Sequence, residues 1–280
     1  MAKTWLITGS SRGIGRALAE SVLASGDNLV ATARNVSGLE ALTAPFGDRA
    51  MIVPLDVANF PAACKAVEAA VSTFGRLDVV ANVAGYGNLG PIEDTSIDDF
   101  RAQIDTNLFG VINVSKAVIP TMRKQHAGHI ITFSSVGGRI GSTGRAPYSA
   151  AKFGVEGFSE VMATEMAPHG VKVTIIEPGG FRTDFAGSST TIQDVRAKYD
   201  ATVGEAARFQ RRYNGRQPGD PKKAAQVIPE IVAMKEPPLR LLLGSDAVKF
   251  VEAADIKKSE ADKKWRDLSM STDFGEDTSR

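Results

Sequence analysis

The sequence predicts an α/β protein: a single domain built on a doubly wound, parallel, seven-stranded sheet with helices on both faces. Three observations lead there. Short β-rich runs alternate with stretches of helical apolar spacing along most of the chain. The runs are almost continuously apolar, as strands covered on both faces are. Right-handed crossovers between parallel strands then place helices on both sides.

The strand-like runs fall at residues 4–8, 29–33, 51–54, 78–82, 128–133, 171–176 and 239–243. The first helical stretch carries Ile14, Leu18 and Val22. A longer one carries Phe100, Ile104, Leu108, Val111, Ile112, Ser115, Ile119 and Met122, and a third Tyr148, Ala151, Val155, Phe158 and Met162. No repeat, low-complexity tract or interdomain linker interrupts the 280 residues, which points to one domain rather than two. Two segments break the rhythm. Residues 180–220 are polar and Arg-rich, an insertion beyond a strand's C-terminal edge where a substrate lid is expected. Residues 257–280 carry six basic and six acidic groups and read as a frayed helix and tail.

Composition narrows the function classes. Thirty-three basic against thirty-two acidic side chains leave a formal charge of +1, without the basic excess of a dedicated nucleic-acid binder. Cys64 is the only cysteine, so no internal disulfide or Cys-based zinc site is expected. No apolar run approaches the roughly 18–20 residues of a membrane helix. Met1-Ala2-Lys3 leads straight into the first strand, leaving no room for a signal peptide. The expectation is a cytoplasmic protein with neither membrane nor nucleic acid as partner.

The first chemical motif is Thr8-Gly9-Ser10-Ser11-Arg12-Gly13-Ile14-Gly15, between the first strand and a helix. Glycines let backbone approach a pyrophosphate, and free helix N–H groups stabilise the anion. The same residues also spell G-x-S-x-G, which would make Ser11 a hydrolase nucleophile. That alternative lacks an Asp-then-His pair downstream, and His126, His129 and His169 read as surface residues near element ends. After the second strand comes Ala33-Arg34-Asn35, with no acid where an NAD enzyme binds the ribose 2′-hydroxyl. Arg34, flanked by Arg12, suits a 2′-phosphate through charge-assisted bonds, so NADP(H) is preferred over NAD(H).

Tyr148 and Lys152 stand four apart on a predicted helix and share one face. A phenol titrates near pH 10, and a nearby ammonium favours the phenolate, which suits acid–base catalysis. Ser135 ends the fifth strand, whose C-terminus faces the ligand crevice of a parallel sheet. With these residues in place, the sequence closely resembles the short-chain dehydrogenase/reductase family, over roughly residues 3–185. Thr8–Gly15 resembles its glycine motif and Asp56-Val57 its adenine contact. Asn82-Val83-Ala84-Gly85 resembles its N-x-A-G motif beside the cofactor, with Val83 in place of the commoner Asn. Asn107 matches its active-site Asn on a locally bent helix. Pro178-Gly179, Phe181 and Thr183 resemble the segment holding the nicotinamide carboxamide.

The resemblance implies a Rossmann-type fold and an NADP(H)-dependent reaction between a carbonyl and an alcohol, with no metal required. Tyr148 would exchange the proton, Ser135 polarise the oxygen, Lys152 bind the ribose and lower the Tyr pKa, and Asn107 complete a proton relay. It also implies a homodimer through the helices carrying Asn107 and Tyr148, with the family's common tetramer as the alternative. The long C-terminal part resembles the branch with 17β-hydroxysteroid dehydrogenases and carbonyl reductases. A non-catalytic NADP-binding regulator of the same fold is the other class, and it predicts loss of Ser, Tyr or Lys, all of which are present. Eight basic and three acidic residues between Arg196 and Lys223 suggest either an anionic substrate or a solvated helix face. Phe181, Phe185, Phe209, Tyr213, Tyr86, Val136 and Ile140 are candidates for an apolar pocket.

Overall fold

Every residue of the first run is buried, so β1 (Thr4–Thr8) sits at the centre of the sheet. It pairs in parallel with β2 (Asn28–Ala33) on one side and β4 (Val79–Asn82) on the other. With β3 (Ala50–Pro54), β5 (Gly128–Phe133), β6 (Val171–Pro178) and β7 (Arg240–Leu243), the order is β3-β2-β1-β4-β5-β6-β7, all parallel. The computed structural model describes residues 2–274. The strand order reverses between β1 and β4, which opens a crevice beyond the strands' C-terminal ends.

Strand side chains alternate between two cores. Ile7, Ala31, Ile131 and Ile176 face one layer, where α1 (Gly13–Ala24) and α8 (Pro221–Ala233) contribute Leu18, Val22, Ala224 and Ile228. Leu6, Val30, Val80 and Ile130 face the other, against Val67 of α3 (Phe60–Phe74), Val114 and Val118 of α5 (Gly110–Gln125) and Met162 of α6 (Ala146–Met166). Local chemistry sets the helix ends. Asn59 caps α3 by accepting from the Ala62 amide at 2.9 Å, and Gly75 ends it in a left-handed turn at φ 75°. One short turn, α2 (Glu40–Thr43), lies between β2 and β3; Ser96 caps α4 (Ile97–Ile104), and Asp220 caps α8.

Three features go beyond the apolar spacing. The helical stripe from Phe100 through Met122 is interrupted by a π-turn at Asp105–Phe109 between α4 and α5, at the place where the family resemblance implied a local bend around Asn107. The charged C-terminal segment belongs to a longer helix, α9 (Ser245–Met270), which starts where Gly244 breaks β7 at φ 103°. The last six residues of the expected tail lie outside the described residues. The remainder of the 180–220 insertion forms short turns and one amphipathic helix, α7 (Glu205–Tyr213).

His129 is not on the surface: it is 3% exposed. Its Nε2 lies 2.9 Å from the Thr174 hydroxyl, which itself donates to the Pro238 carbonyl at 2.8 Å. Nε2 therefore carries the proton, and Nδ1 is buried without a partner. Burial, aided by the charge of Lys172, pushes the imidazole from 6.5 down to about 4. Between those values only the unfolded chain takes up the proton, so stability falls as pH drops from 6.5 towards 4. The expected loss between pH 7 and 5 is about 2 kcal/mol from this residue. Urea melts at both pH values should show that much less pH dependence in His129→Gln than in the parent chain; an equal dependence would refute the assignment.

Candidate active site

A cavity of about 880 Å³ opens at the strand C-termini, along the crevice between β1 and β4. It brings together Gly9, Ser11, Arg12, Gly13, Ile14, Gly15, Arg34, Asp56, Val57, Ala84, Gly85, Asn107, Ser135, Tyr148, Lys152, Pro178, Gly179, Phe181 and Thr183. Asn82 is the exception and corrects the sequence reading. It is 2% exposed beneath the crevice, and its amide donates to the Ser115 hydroxyl at 3.3 Å, tying β4 to α5.

The loop after β1 is shaped for a dinucleotide. Gly9 and Gly13 have φ of 71° and 59°, the left-handed region that glycine adopts freely. A Cβ on Gly15 would lie 2.4 Å from the Gly9 carbonyl oxygen, so that turn closes only with glycine. Arg12, at the N-cap of α1, is extended and supplies no side-chain cap, and the first turn holds no acid. The first amides of α1 are thus left for an anion. Arg34 follows directly on β2; it and Arg12 are exposed cavity residues without a carboxylate in the ion pairs among the described residues. Gln217 is 1% exposed, lines the cavity, and has neither carboxamide atom bonded within the protein. An anion cradle, two cations at the rim and a free amide fit a nicotinamide dinucleotide.

The other end of the cavity holds the reactive side chains. Ser135 follows β5 and Tyr148 lies in the first turns of α6; both converge on Gly137, where a Cβ would lie 3.5 Å from Ser135 Oγ and 3.2 Å from Tyr148 Cε1. Burial raises the Tyr148 pKa, opposed first by hydrogen bonding with Ser135 and then by the charge of Arg145. Lys152 Nζ lies 5.7 Å from the Tyr148 ring centroid and donates to the Phe133 carbonyl at 2.7 Å. Burial brings its pKa down to about 8, with Glu156 opposing. The cation that offsets burial at Tyr148 here is thus Arg145, a residue the sequence reading did not single out.

The π-turn places Asn107 beneath the loop after β4. Its Nδ2 donates to the Tyr86 and Gln103 carbonyls, both at 2.8 Å, and its Oδ1 accepts from the Tyr86 amide at 3.0 Å. The extra backbone residue of the π-turn turns this side chain towards residues 85–86.

Phe181, Phe185, Phe209, Tyr213, Tyr86 and Val136 line the cavity; Ile140 is half-buried outside it. Sequence reasoning missed Arg145, Gln217, Asp246 and Phe250. Asp246, at the start of α9, accepts from the Gly180 amide at 2.7 Å and from Tyr213 Oη at 3.2 Å. Three cations of the insertion pair on its outside: Arg196 with Asp94 and Glu93, Lys198 with Glu93, and Arg208 with Asp200. Arg211, Arg212 and Arg216 are exposed and do not line the cavity.

Ser11 has no imidazole beside it. None of the three histidines lines the cavity, and His129 sits near the start of β5, at the opposite end of the parallel sheet from the glycine loop. The hydrolase alternative therefore fails. Among the described residues no cluster of His, Cys, Asp and Glu is arranged to hold a metal, and no helix is long and apolar enough to cross a membrane.

Comparison with known proteins agrees with this geometry. The family described as short chain dehydrogenase matches residues 3–194. Oxidoreductase BOA17 of Botryotinia fuckeliana is 48% identical over 97% of this chain and 100% of its own. The 3-ketodihydrosphingosine reductase of Bacteroides thetaiotaomicron is 36% identical over 85% of this chain and 87% of its own. A crystal structure of a short-chain dehydrogenase from Streptomyces avermitilis superposes with a TM-score of 0.92 at 36% identity, covering 98% of this chain and 100% of that one. The chain belongs to the short chain dehydrogenase family, oxidoreductases that interconvert carbonyls and alcohols with a nicotinamide cofactor.

Proposed function

We propose that this protein is an NADP(H)-dependent carbonyl reductase with Tyr148 as its general acid. The observation that carries the reading is the convergence of the Ser135 and Tyr148 side chains on Gly137, inside the cavity that also holds the glycine loop. When bound, the cofactor supplies the hydride. Arg34 and Arg12 would hold its 2′-phosphate, the amides of Gly13–Gly15 its pyrophosphate, Asp56 and Val57 its adenine end, and Pro178–Thr183 with Gln217 its carboxamide end.

In reduction, the Ser135 hydroxyl donates to the substrate oxygen and Tyr148 delivers its proton there as negative charge develops. The buried phenol is a good acid reservoir because burial keeps it protonated at neutral pH. Lys152, with a pKa near 8, can return a proton to Tyr148, and Asn107 keeps the loop at residues 85–86 in place beside it. The aromatic wall made by Phe185, Phe209 and Tyr213 suits an apolar carbonyl compound. The name of the Bacteroides relative, a ketone reductase, is in keeping with this.

The test follows NADPH oxidation at 340 nm with a panel of ketones, aldehydes, quinones and keto-steroids. Turnover is expected with at least one class; NADPH binding with no turnover of any would favour a regulatory protein instead. The reading includes a homodimer. Phe109, Phe153 and Val161 are 48%, 46% and 57% exposed on the α5 and α6 side, an apolar surface for a second copy. Light scattering should then give twice the 29.7 kDa chain mass, and a monomer mass would remove this part.

A further inference from the structure

Arg145 is 9% exposed, yet it lines the cavity and takes part in none of the ion pairs among the described residues. A guanidinium has five N–H donors. Only Nη1 finds a protein acceptor, the Gly87 carbonyl at 2.8 Å. The remaining donors are absent from the buried polar groups that lack a partner, so they reach the cavity space. The group is also held in place. Its Cζ lies 5.8 Å from the centroid of the Phe185 ring, and a Cβ on Gly87 would stand 3.0 Å from Nη1, so glycine is needed for the close approach. Buried cations are ordinarily paired, because desolvation without compensation costs several kcal/mol. The cations that the sequence placed on the lid stay outside the cavity, three of them ion-paired, while an unpaired one lines the cavity beside Tyr148.

We infer that Arg145 is the specificity determinant for substrates that carry a carboxylate close to the reacting carbonyl, so that the natural substrate is a keto acid. This rests on the reductase reading and adds to it. The carboxylate accepts from the free edge of the guanidinium, as planar carboxylates do in charge-assisted pairs. The aromatic wall takes the apolar remainder of the molecule. Arg145 is the N-cap residue of α6, and its Nη1 and the Tyr148 ring lie 3.0 and 2.9 Å from the place a Cβ would take at Gly87, so an acid held by the guanidinium presents a neighbouring carbonyl to the phenol.

The experiment compares two acid–ester pairs with NADPH: phenylglyoxylate and 4-oxo-4-phenylbutanoate, each against its methyl ester. The parent enzyme is expected to favour the acid of at least one pair in kcat/KM. Arg145→Gln should lower that acid-to-ester ratio by roughly 10- to 100-fold, and Arg145→Lys should restore part of it. A charge that acted only on the Tyr148 pKa, or a variant that merely packed badly, would slow acid and ester alike and leave the ratio unchanged. An unchanged ratio, or esters preferred in both pairs by the parent enzyme, overturns the inference while leaving the reductase intact. If neither pair turns over, calorimetric titration of both acids into the enzyme with NADP⁺ decides it. Binding that Arg145→Gln abolishes supports the inference; no binding, or equal binding, overturns it. The reductase reading itself falls only if no carbonyl compound of the wider panel is reduced.

Discussion

Replacing Tyr148 by phenylalanine is expected to lower kcat by roughly 100- to 10,000-fold, the usual range for losing a positioned general acid. The ring stays: it packs 5.5 Å from Phe185, centroid to centroid, and against the backbone at Gly87 and Gly137. Only the hydroxyl that carries the transferable proton is lost. NADPH affinity, followed by fluorescence, should therefore change by less than about tenfold, since one hydrogen bond at most is removed from the cofactor. Near-normal kcat in this variant would remove Tyr148 from the mechanism. A joint collapse of turnover and NADPH binding would instead assign it a mainly structural role. The two measurements together separate proton transfer from architecture.

Arg34→Asp should reverse cofactor preference. Arg34 stands at the end of β2 with no protein carboxylate, and the neighbouring Asn35 and Ser37 are neutral. The substitution removes a charge-assisted partner of a 2′-phosphate and puts a repelling carboxylate in its place, one that can accept from a ribose hydroxyl instead. The ratio of kcat/KM for NADPH to that for NADH is expected to fall by roughly 100- to 1,000-fold. An unchanged ratio would show that the 2′-phosphate is held elsewhere. Arg12, across the rim in the glycine loop, is then the next residue to change.

Much of the fold was legible because strands buried on both faces leave an apolar run that little else imitates. The boundaries read for residues 4–8 and 128–133 coincide with β1 and β5, and the others differ by one or two residues at an end. The π-turn was not visible in the spacing of Phe100, Ile104, Leu108 and Val111, because one extra residue in a turn does not disturb an i, i+3, i+4 stripe. His129 was misread for a different reason. Its position at a strand start suggests exposure, but β6 and the segment before β7 cover it through Thr174 and Pro238, 45 and 64 residues apart from their partners in the chain.

The site divides in the same way. The glycine loop and the Tyr–Lys pair were readable because their chemistry depends on short spacings. Arg145 sits in Thr143-Gly144-Arg145-Ala146-Pro147, which reads as a turn, and its role arises from a carbonyl 58 residues away. Asp246 offered one local hint, an acid just inside a helix start after Gly244-Ser245. Gln217 offered none. Long-range contacts between a loop and a single polar side chain leave no periodic trace.

The bond between the Gly180 amide and Asp246 joins residues 66 apart in the chain, and Asp246 also meets Tyr213, 33 residues before it. One carboxylate thus draws three distant segments together: the turn after β6, the end of α7 and the start of α9. Asp246 and Phe250, both on α9, line the cavity beside Gly180 and Tyr213, so its wall is a seam between parts of the chain that share no local contact.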